Sequence, residues 1–434
     1  MLLTIRNRFL IALQYQDFRT LWTANLLAGA SAWALIVARG WVVYEITDSS
    51  LWVGLVTFMA MIPRVFATPI IGFIADRFDR QTVLSWTYGL NLAHNIALAM
   101  MITMELAGPW TLVILALMNG TFRASQQITT QSLVPNLVPK EHLLNAVALN
   151  QATQQGSRLV GPAAIAPLLL VQGGVKCFDA LCFDWSFLTG IESAFWLCSG
   201  FYLVGLIQTL RISTRSRGDV DQSKSFVQNM MAGFNYVYST PIVLAMVLLA
   251  VFHCSLTMSY ESLLPVLSRE SLSGGSGGAN MLMMSIGAGA LVSSIALAGV
   301  LNSAIRGRLF LILGIASGIS YVALGASSLA GLSMATAVIL GVSTAGFMTV
   351  THTIIQTIVP DGIRGRVSGV YNMHVGGSMA AANFLNGALS DWLNAPVVMA
   401  VTGIGFTLAI GLSVVHLPIR RIYFPKTAPE PVPA

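Results

Sequence analysis

The chain has 434 residues, 55% of them hydrophobic and only 9% charged, with a formal net charge of +6. Soluble domains carry about 25% charged residues, so this composition points to lipid as the main solvent. The basic excess lies in short loops between apolar runs, without interleaved aromatics, which sets nucleic-acid binding aside.

A helix needs about 20 apolar residues to cross a bilayer. Such runs fall at 20–44, 51–74, 82–106, 111–134, 143–170, 189–211, 241–265, 279–302, 309–328, 331–358, 367–391 and 396–417. Backbone groups in lipid must be satisfied within their own segment, so these runs are predicted to be helices. The result is an all-α membrane protein of twelve transmembrane helices. The first run has no small-residue cleavage site after it, so a cleaved leader is not expected. The proline-rich tail from Pro425 is too short for a domain.

Lys and Arg set the orientation. With both termini in the cytoplasm, 17 of the 23 basic residues fall in cytoplasmic loops and ends, and two, Lys176 and Arg269, fall opposite. The positive-inside bias selects that topology, in a bacterial inner membrane. The long cytoplasmic stretch 212–240 divides the chain into an N-terminal six-helix bundle (1–211) and a C-terminal one (241–417), followed by a cytoplasmic tail (418–434). The halves look related: Gln131-Ser-Leu-Val-Pro135 recurs as Gln356-Thr-Ile-Val-Pro360, and a similar shift carries Gly72 onto Gly299. Two pseudo-symmetric six-helix bundles are the internal repeat of one large transporter class.

The loop after the second run reads Gly72-Phe-Ile-Ala-Asp76-Arg77-Phe-Asp79-Arg80. It resembles the signature loop of the major facilitator superfamily, with Asp79 where the family has a later glycine. Gly72 would let two helices approach closely. Asp76 would accept hydrogen bonds from a helix N-terminus or an arginine, and with Arg77 and Arg80 would latch one state. Gly161-Pro162 resembles the fifth-span motif linked to antiport in facilitator exporters, with Ala163 to Ala166 replacing its trailing glycines. Val359-Pro-Asp-Gly-Ile-Arg-Gly-Arg366 resembles the drug and siderophore exporter branch, which holds macrolide efflux pumps and the enterobactin exporter. The resemblance implies a secondary active transporter that works by alternating access, and no enzyme. It implies Gly72, Asp76, Arg77, Arg80, Gly161 and Pro162 as gating residues.

Four arginines lie inside predicted spans, Arg39, Arg64, Arg123 and Arg158, all in the N-terminal half. An arginine at the bilayer centre costs about 2.5–3.5 kcal/mol on insertion scales, so each should face a cavity or a partner. No carboxylate accompanies them at mid-depth in that half. Asn119, Arg123, Gln126 and Thr130 form one helical stripe, and Gln151, Gln154/Gln155 and Arg158 form another. These stripes read as walls of a wet cavity whose arginine excess suits an anionic substrate, because guanidinium fits carboxylate or phosphate. Arg123-Ala-Ser-Gln126 also resembles a fourth-span motif of proton-coupled facilitators. The candidate substrate-binding set is Arg123, Arg158, Arg64, Arg39, Gln126, Gln155, Trp33 and Tyr260.

Glu261, the carboxylate well inside a C-terminal span, and His253 are the candidate proton-coupling groups. Each arginine and histidine also has a structural reading, as a residue bonded within the helix packing. The acidic residue common in the first span of the exporter branch is replaced by Ser31-Ala-Trp33. The methionines read as apolar filler, so no metal or cofactor is expected. Cys177 and Cys182 lie in an outer loop where an oxidising compartment would permit a disulfide. The leading reading is an exporter of a small organic, anionic or amphipathic compound, ion-coupled by protons before sodium, and monomeric in the lipid bilayer. The alternatives are an organic-anion importer driven by proton or sodium symport, a lipid flippase, and a membrane enzyme or non-transporting partner protein.

Overall fold

The computed structural model describes residues 10–66, 78–170, 176–178, 181–183, 190–216, 226–272, 274–297, 303–415 and 417–423. Among them the chain is almost entirely helical. A short 3-10 turn leads into α1 (Gln16–Thr47), α2 (Ser50–Met61, with a further turn to Phe66 beyond Pro63), α3 (Arg80–Thr103), α4 (Pro109–Leu133), α5 (Leu143–Leu170) and α6 (Ile191–Leu210). The second half holds α7 (Phe226–Ser239), α8 (Pro241–Leu256), α9 (Leu264–Glu270), α10 (Gly275–Leu297), α11 (Ser303–Ala326), α12 (Ala330–Ile358), α13 (Asp361–Leu393), α14 (Ala395–Ser413) and α15 (Leu417–Tyr423).

Helix boundaries follow local chemistry. Pro109 and Pro241 open α4 and α8, where a missing amide hydrogen is harmless. Asp48 takes the left-handed conformation (φ 51°) that stops α1. The Asn394 side chain accepts from Val397 N to cap α14.

Six helices, α1, α6, α10, α11 from Ile305, α12 and α14, are long and apolar enough to cross a membrane by themselves. The other long helices carry inward polar residues that dilute their hydropathy, as α3 does with Gln81, Asn91, His94 and Asn95, all buried. The structure corrects the seventh predicted run. A continuous helix over 241–265 is expected, but the chain leaves α8 at Leu256, runs irregularly through Thr257–Leu263, and resumes helix at α9 with Pro265 in its first turn. The stretch 212–240, read as a plain linker, contains α7, which meets α8 at 100°. Between α5 and α6 lies an antiparallel hairpin, β1 (Lys176–Phe178) with β2 (Leu181–Phe183), whose register sets Cys177 opposite Cys182.

The core falls into three clusters of buried side chains. One joins Phe18, Tyr88, Leu133 and Tyr202 of the first half. A second gathers Phe310, Phe347, Tyr371, Phe406 and Tyr423 of the second half. The third runs across both, from Trp33 and Phe195 to Tyr260, Met283 and Met399. Backbones approach closely where side chains vanish: Gly289 of α10 lies on the Val338 carbonyl of α12, and Gly341 of α12 on the Ile286 carbonyl of α10. The halves meet along α5 with α10, where Gly287 packs on the Arg158 backbone, and along α2 with α13, where Gly54 packs on the Asn383 carbonyl.

Candidate functional site

The break between α8 and α9 faces the N-terminal half through Tyr260. Unwinding frees backbone donors and acceptors that lipid cannot satisfy, and such breaks survive only where other groups take them up. Two amides of α13 do this. Asn383 Oδ1 accepts from Ser262 N (3.1 Å), and Asn386 Nδ2 donates to Ser259 O (3.2 Å) and Ser259 Oγ (2.7 Å). Tyr260 and Glu261 sit in the middle of this stretch, both buried.

Opposite them stand the arginines. Trp33 of α1 lies between two guanidinium groups: Arg158 Cζ is 4.6 Å from its ring centroid and Arg123 Cζ is 5.6 Å away. Both are cation–π distances. Arg158 Nη1 also reaches Tyr260 Oη at 3.5 Å, a long contact. Arg64, Arg123 and Arg158 are half-buried. Glu261 is 4% exposed, and neither of its oxygens has a hydrogen-bond partner. The charged groups near enough to act on it are Arg158, Arg64 and Arg123. The N-terminal half has no mid-depth carboxylate of its own; the one its arginines face comes from the other half. Arg39 stands apart. It is fully buried beside a small cavity that Arg123 also lines.

The structure brings together Trp33, Arg64, Arg123, Arg158, Tyr260 and Glu261. Gln126 is turned elsewhere: its Nε2 donates to Tyr88 Oη (3.0 Å), and Tyr88 Oη donates to Asn25 Oδ1 (3.1 Å), which also accepts from Thr130 Oγ1 (3.2 Å). Asn119 Nδ2 donates to Asn91 Oδ1 of α3. Apart from Arg123, therefore, this stripe is bonded into the packing of α1, α3 and α4, and does not face Trp33 and Glu261; Asn119 lines only the small cavity beside Arg39. The Gln155 side chain lies outside the described residues. His253 is buried with both ring nitrogens unbonded, stacked on Phe347 (4.3 Å) and edge-on to Phe406 (5.0 Å), in the aromatic cluster of the second half.

Gly72, Asp76 and Arg77 lie outside the described residues. Gly161 packs on the Ala30 carbonyl of α1, and the Pro162 carbonyl accepts from Asn280 Nδ2 of α10 (2.9 Å), so this motif fixes α5 between both halves. Arg80 Nη1 donates to Ser132 O (3.0 Å) and Ser216 Oγ (3.3 Å). Beside it, Asp79 does more than depart from the family's loop pattern. It caps α3, accepting from Thr82 N and Thr82 Oγ1, and ties down the segment after α6 through Ser216 N and Arg215. Asp17 holds the same segment by accepting from Ser213 N, Thr214 N and Thr214 Oγ1.

Arg215 is 72% exposed, so its ion pair with Asp79 adds under about 1 kcal/mol, and the capping bonds dominate. Burial raises the Asp79 pKa, but the bonds from Thr82, Ser216 and Arg215 outweigh it and hold it below the ordinary value. A lowered folded pKa contributes stability that is full above the unfolded value, about 4, and is lost as pH falls through the folded one. Asp79→Asn keeps a capping oxygen but loses the charge, so it is expected to lower stability by about 1 kcal/mol at pH 7. The gap to wild type should narrow as pH falls below the unfolded value, about 4, and thermal melts of the two proteins from pH 7 down to pH 3 check both points.

A helical bundle with a broken helix, buried arginines and a facing carboxylate defines a multi-pass membrane transporter, and solved structures carry the same fold. The nucleoside transporter NupG superposes with a TM-score of 0.69 at 10% identity, over 94% of this chain and all of that one. A bacterial homologue of the human lysosomal transporter Spinster, inward-facing and unoccupied, gives 0.67 at 15% identity over 95% of this chain and 98% of that one. The chain belongs to the transmembrane secretion effector family of major facilitator transporters, whose profile matches residues 9–422. Its relatives include the enterobactin exporter EntS of Escherichia coli K12, 22% identical over 95% of this chain and 94% of that one. EntS of Shigella boydii is 23% identical over the same shares. The chain is thus a transporter and not an enzyme.

Proposed function

We propose that this protein exports a small organic anion across a bacterial inner membrane by alternating access of two six-helix bundles, residues 1–211 and 241–417. In this reading twelve helices cross the bilayer, both termini are cytoplasmic, and the monomer is the working unit. The observation that carries it is the cationic site: Arg123 and Arg158 bracketing Trp33, with Arg64 nearby, and Glu261 the carboxylate among them. Three guanidiniums against one carboxylate leave a net positive site at the junction of the halves. That favours carboxylate or phosphate groups and opposes cations. The family description and the exporter relatives support outward transport.

The position of Glu261 bears on the driving force. A proton on Glu261 removes the one negative charge that competes for the arginines, so proton and anion bind together rather than in exchange. Export of an anion is already favoured by an inside-negative potential, by about 2.3 kcal/mol per charge per 100 mV. That equals a gradient of roughly 50-fold. The same cooperativity favours a second reading on the same site, an organic-anion importer driven by proton symport. Glu261 carries the proton in the importer reading and keeps its charge in the exporter reading, where the anion moves alone down the potential; His253, embedded among Phe347 and Phe406, carries none.

Vesicle transport separates them. Inverted vesicles made positive inside should accumulate organic anions, but not matched cations, with no imposed pH gradient if the protein is an exporter. Uptake confined to right-side-out vesicles with an inward proton gradient, and abolished in Glu261→Gln, would establish the importer instead. Equal transport of anions and cations would refute the cationic site in both.

A further inference from the structure

Behind the Arg158 site lies a second arrangement of charge that the transport reading does not use. Arg39 of α1 is 2% exposed, and its Nη1 is buried with no hydrogen-bond partner. The charged group that acts on it is Arg123, of the same sign. Glu261 acts on Arg64 and Arg123 but is not among the groups acting on Arg39. The nearby His94 does not compensate, since its Nε2 is engaged by the Leu115 carbonyl (2.8 Å). An arginine cannot shed its proton to escape such a site. A buried charge with no counter-charge is worth several kcal/mol of destabilisation.

Between the two arginines the structure leaves a cavity of about 10 Å³, lined also by Thr57, Asn119, Gly40 and Ala60. That is room for one particle of about the size of a water molecule. An organic substrate cannot enter it. A monatomic anion can, and a net positive, largely apolar cavity with an unbonded guanidinium N–H gives it charge and a donor. We propose that the Arg39–Arg123 cavity binds one small inorganic anion of the halide class, as a counter-ion beside the substrate site, with which it shares only Arg123. The occupant offsets one of the two guanidinium charges and fixes α1 against α2 and α4, so the α1 face that presents Trp33 is held independently of substrate.

The test uses the full-length purified protein in detergent, with no organic substrate, so its outcome is independent of what the protein transports. Chloride titrated against gluconate at constant ionic strength should raise Tm saturably, by roughly 2–4 °C. The response should persist in Arg158→Gln and vanish in Arg39→Gln. Equal stabilisation by both salts, or a chloride response undiminished in Arg39→Gln, would overturn the proposal. Because Arg39→Gln could fail to fold, crystals of the wild-type protein grown in bromide give a direct reading. An anomalous peak between Arg39 and Arg123 supports the site. A water only, with no anomalous signal there at saturating bromide, sinks it.

Discussion

Arg158→Ala is expected to lower the affinity for the transported anion by about 100-fold while shifting Tm by no more than a few degrees. The expectation rests on how little of Arg158 is structural. Its side chain is half-buried, its ring contact with Trp33 at 4.6 Å is worth about 0.5–2 kcal/mol, and its contact with Tyr260 Oη is 3.5 Å long. Losing these costs the fold little, and part returns because removing one of several like charges relieves repulsion. The substrate loses more: a charge-assisted, bidentate contact and one positive charge in a half-buried site, together about 2.7 kcal/mol, which is the 100-fold. Arg158→Lys should recover only part, since a point charge cannot reproduce the guanidinium fork. Isothermal titration and counter-flow in proteoliposomes measure both. Wild-type affinity in Arg158→Ala would remove this residue from the site.

The arginines were legible in the sequence because charge inside an apolar run is conspicuous, and the helices because apolar runs of that length have few other uses. What sequence could not give is what those residues face. The stripe from Asn119 to Thr130 predicts one helix face correctly, yet that face is bonded to Asn91, Tyr88 and Asn25 on α3 and α1, more than 25 positions away. Periodicity finds a polar face but cannot say whether water or amide side chains cover it. The broken helix was missed for a similar reason. Hydropathy averaged over 241–265 stays high despite the polar stretch at 257–262, and the groups that stabilise the break, Asn383 and Asn386, lie over 120 residues downstream. The density of Ser and Thr from Ser255 to Ser262, followed by Pro265, was the local signal available. Asp79 departs from the family's loop pattern, and its place three residues before Thr82 at the start of a long apolar run is the local signature of the N-cap it forms on α3.

Asp391→Ala is expected to shift the conformational equilibrium about 10- to 30-fold toward a state in which α2 and α13 part at their Ser50 and Asp391 ends. Asp391 lies in the last turn of α13, in the C-terminal half, and does the work of an N-cap for α2 in the N-terminal half. Its carboxylate accepts from Ser49 Oγ (2.6 Å), Ser50 N (2.6 Å) and Leu51 N (3.2 Å), while Ser49, the N-cap by position, makes no capping bond with its own side chain. An N-terminal cap is worth about 1–2 kcal/mol even when exposed, because bare amides and the positive helix end both favour a carboxylate. If the halves separate here, as the proposed alternating-access cycle requires, those amides pass to water and the interaction is lost in full. About 1.4–2 kcal/mol then converts to the stated factor. Two other cross-half contacts close the same end, Arg269 with Asp48 (3.1 Å) and Tyr44 Oη donating to Glu270 Oε1 (3.2 Å). The Arg269 pair is solvent-exposed on both sides, so Arg269→Ala should move the equilibrium less than about fivefold. Spin labels at exposed Leu51 and Leu393 report the distance directly, and the long-distance population should grow in Asp391→Ala far more than in Arg269→Ala. An unchanged distance distribution in Asp391→Ala would mean that apolar packing across the halves, such as Gly54 on the Asn383 carbonyl, holds this end shut without the cap.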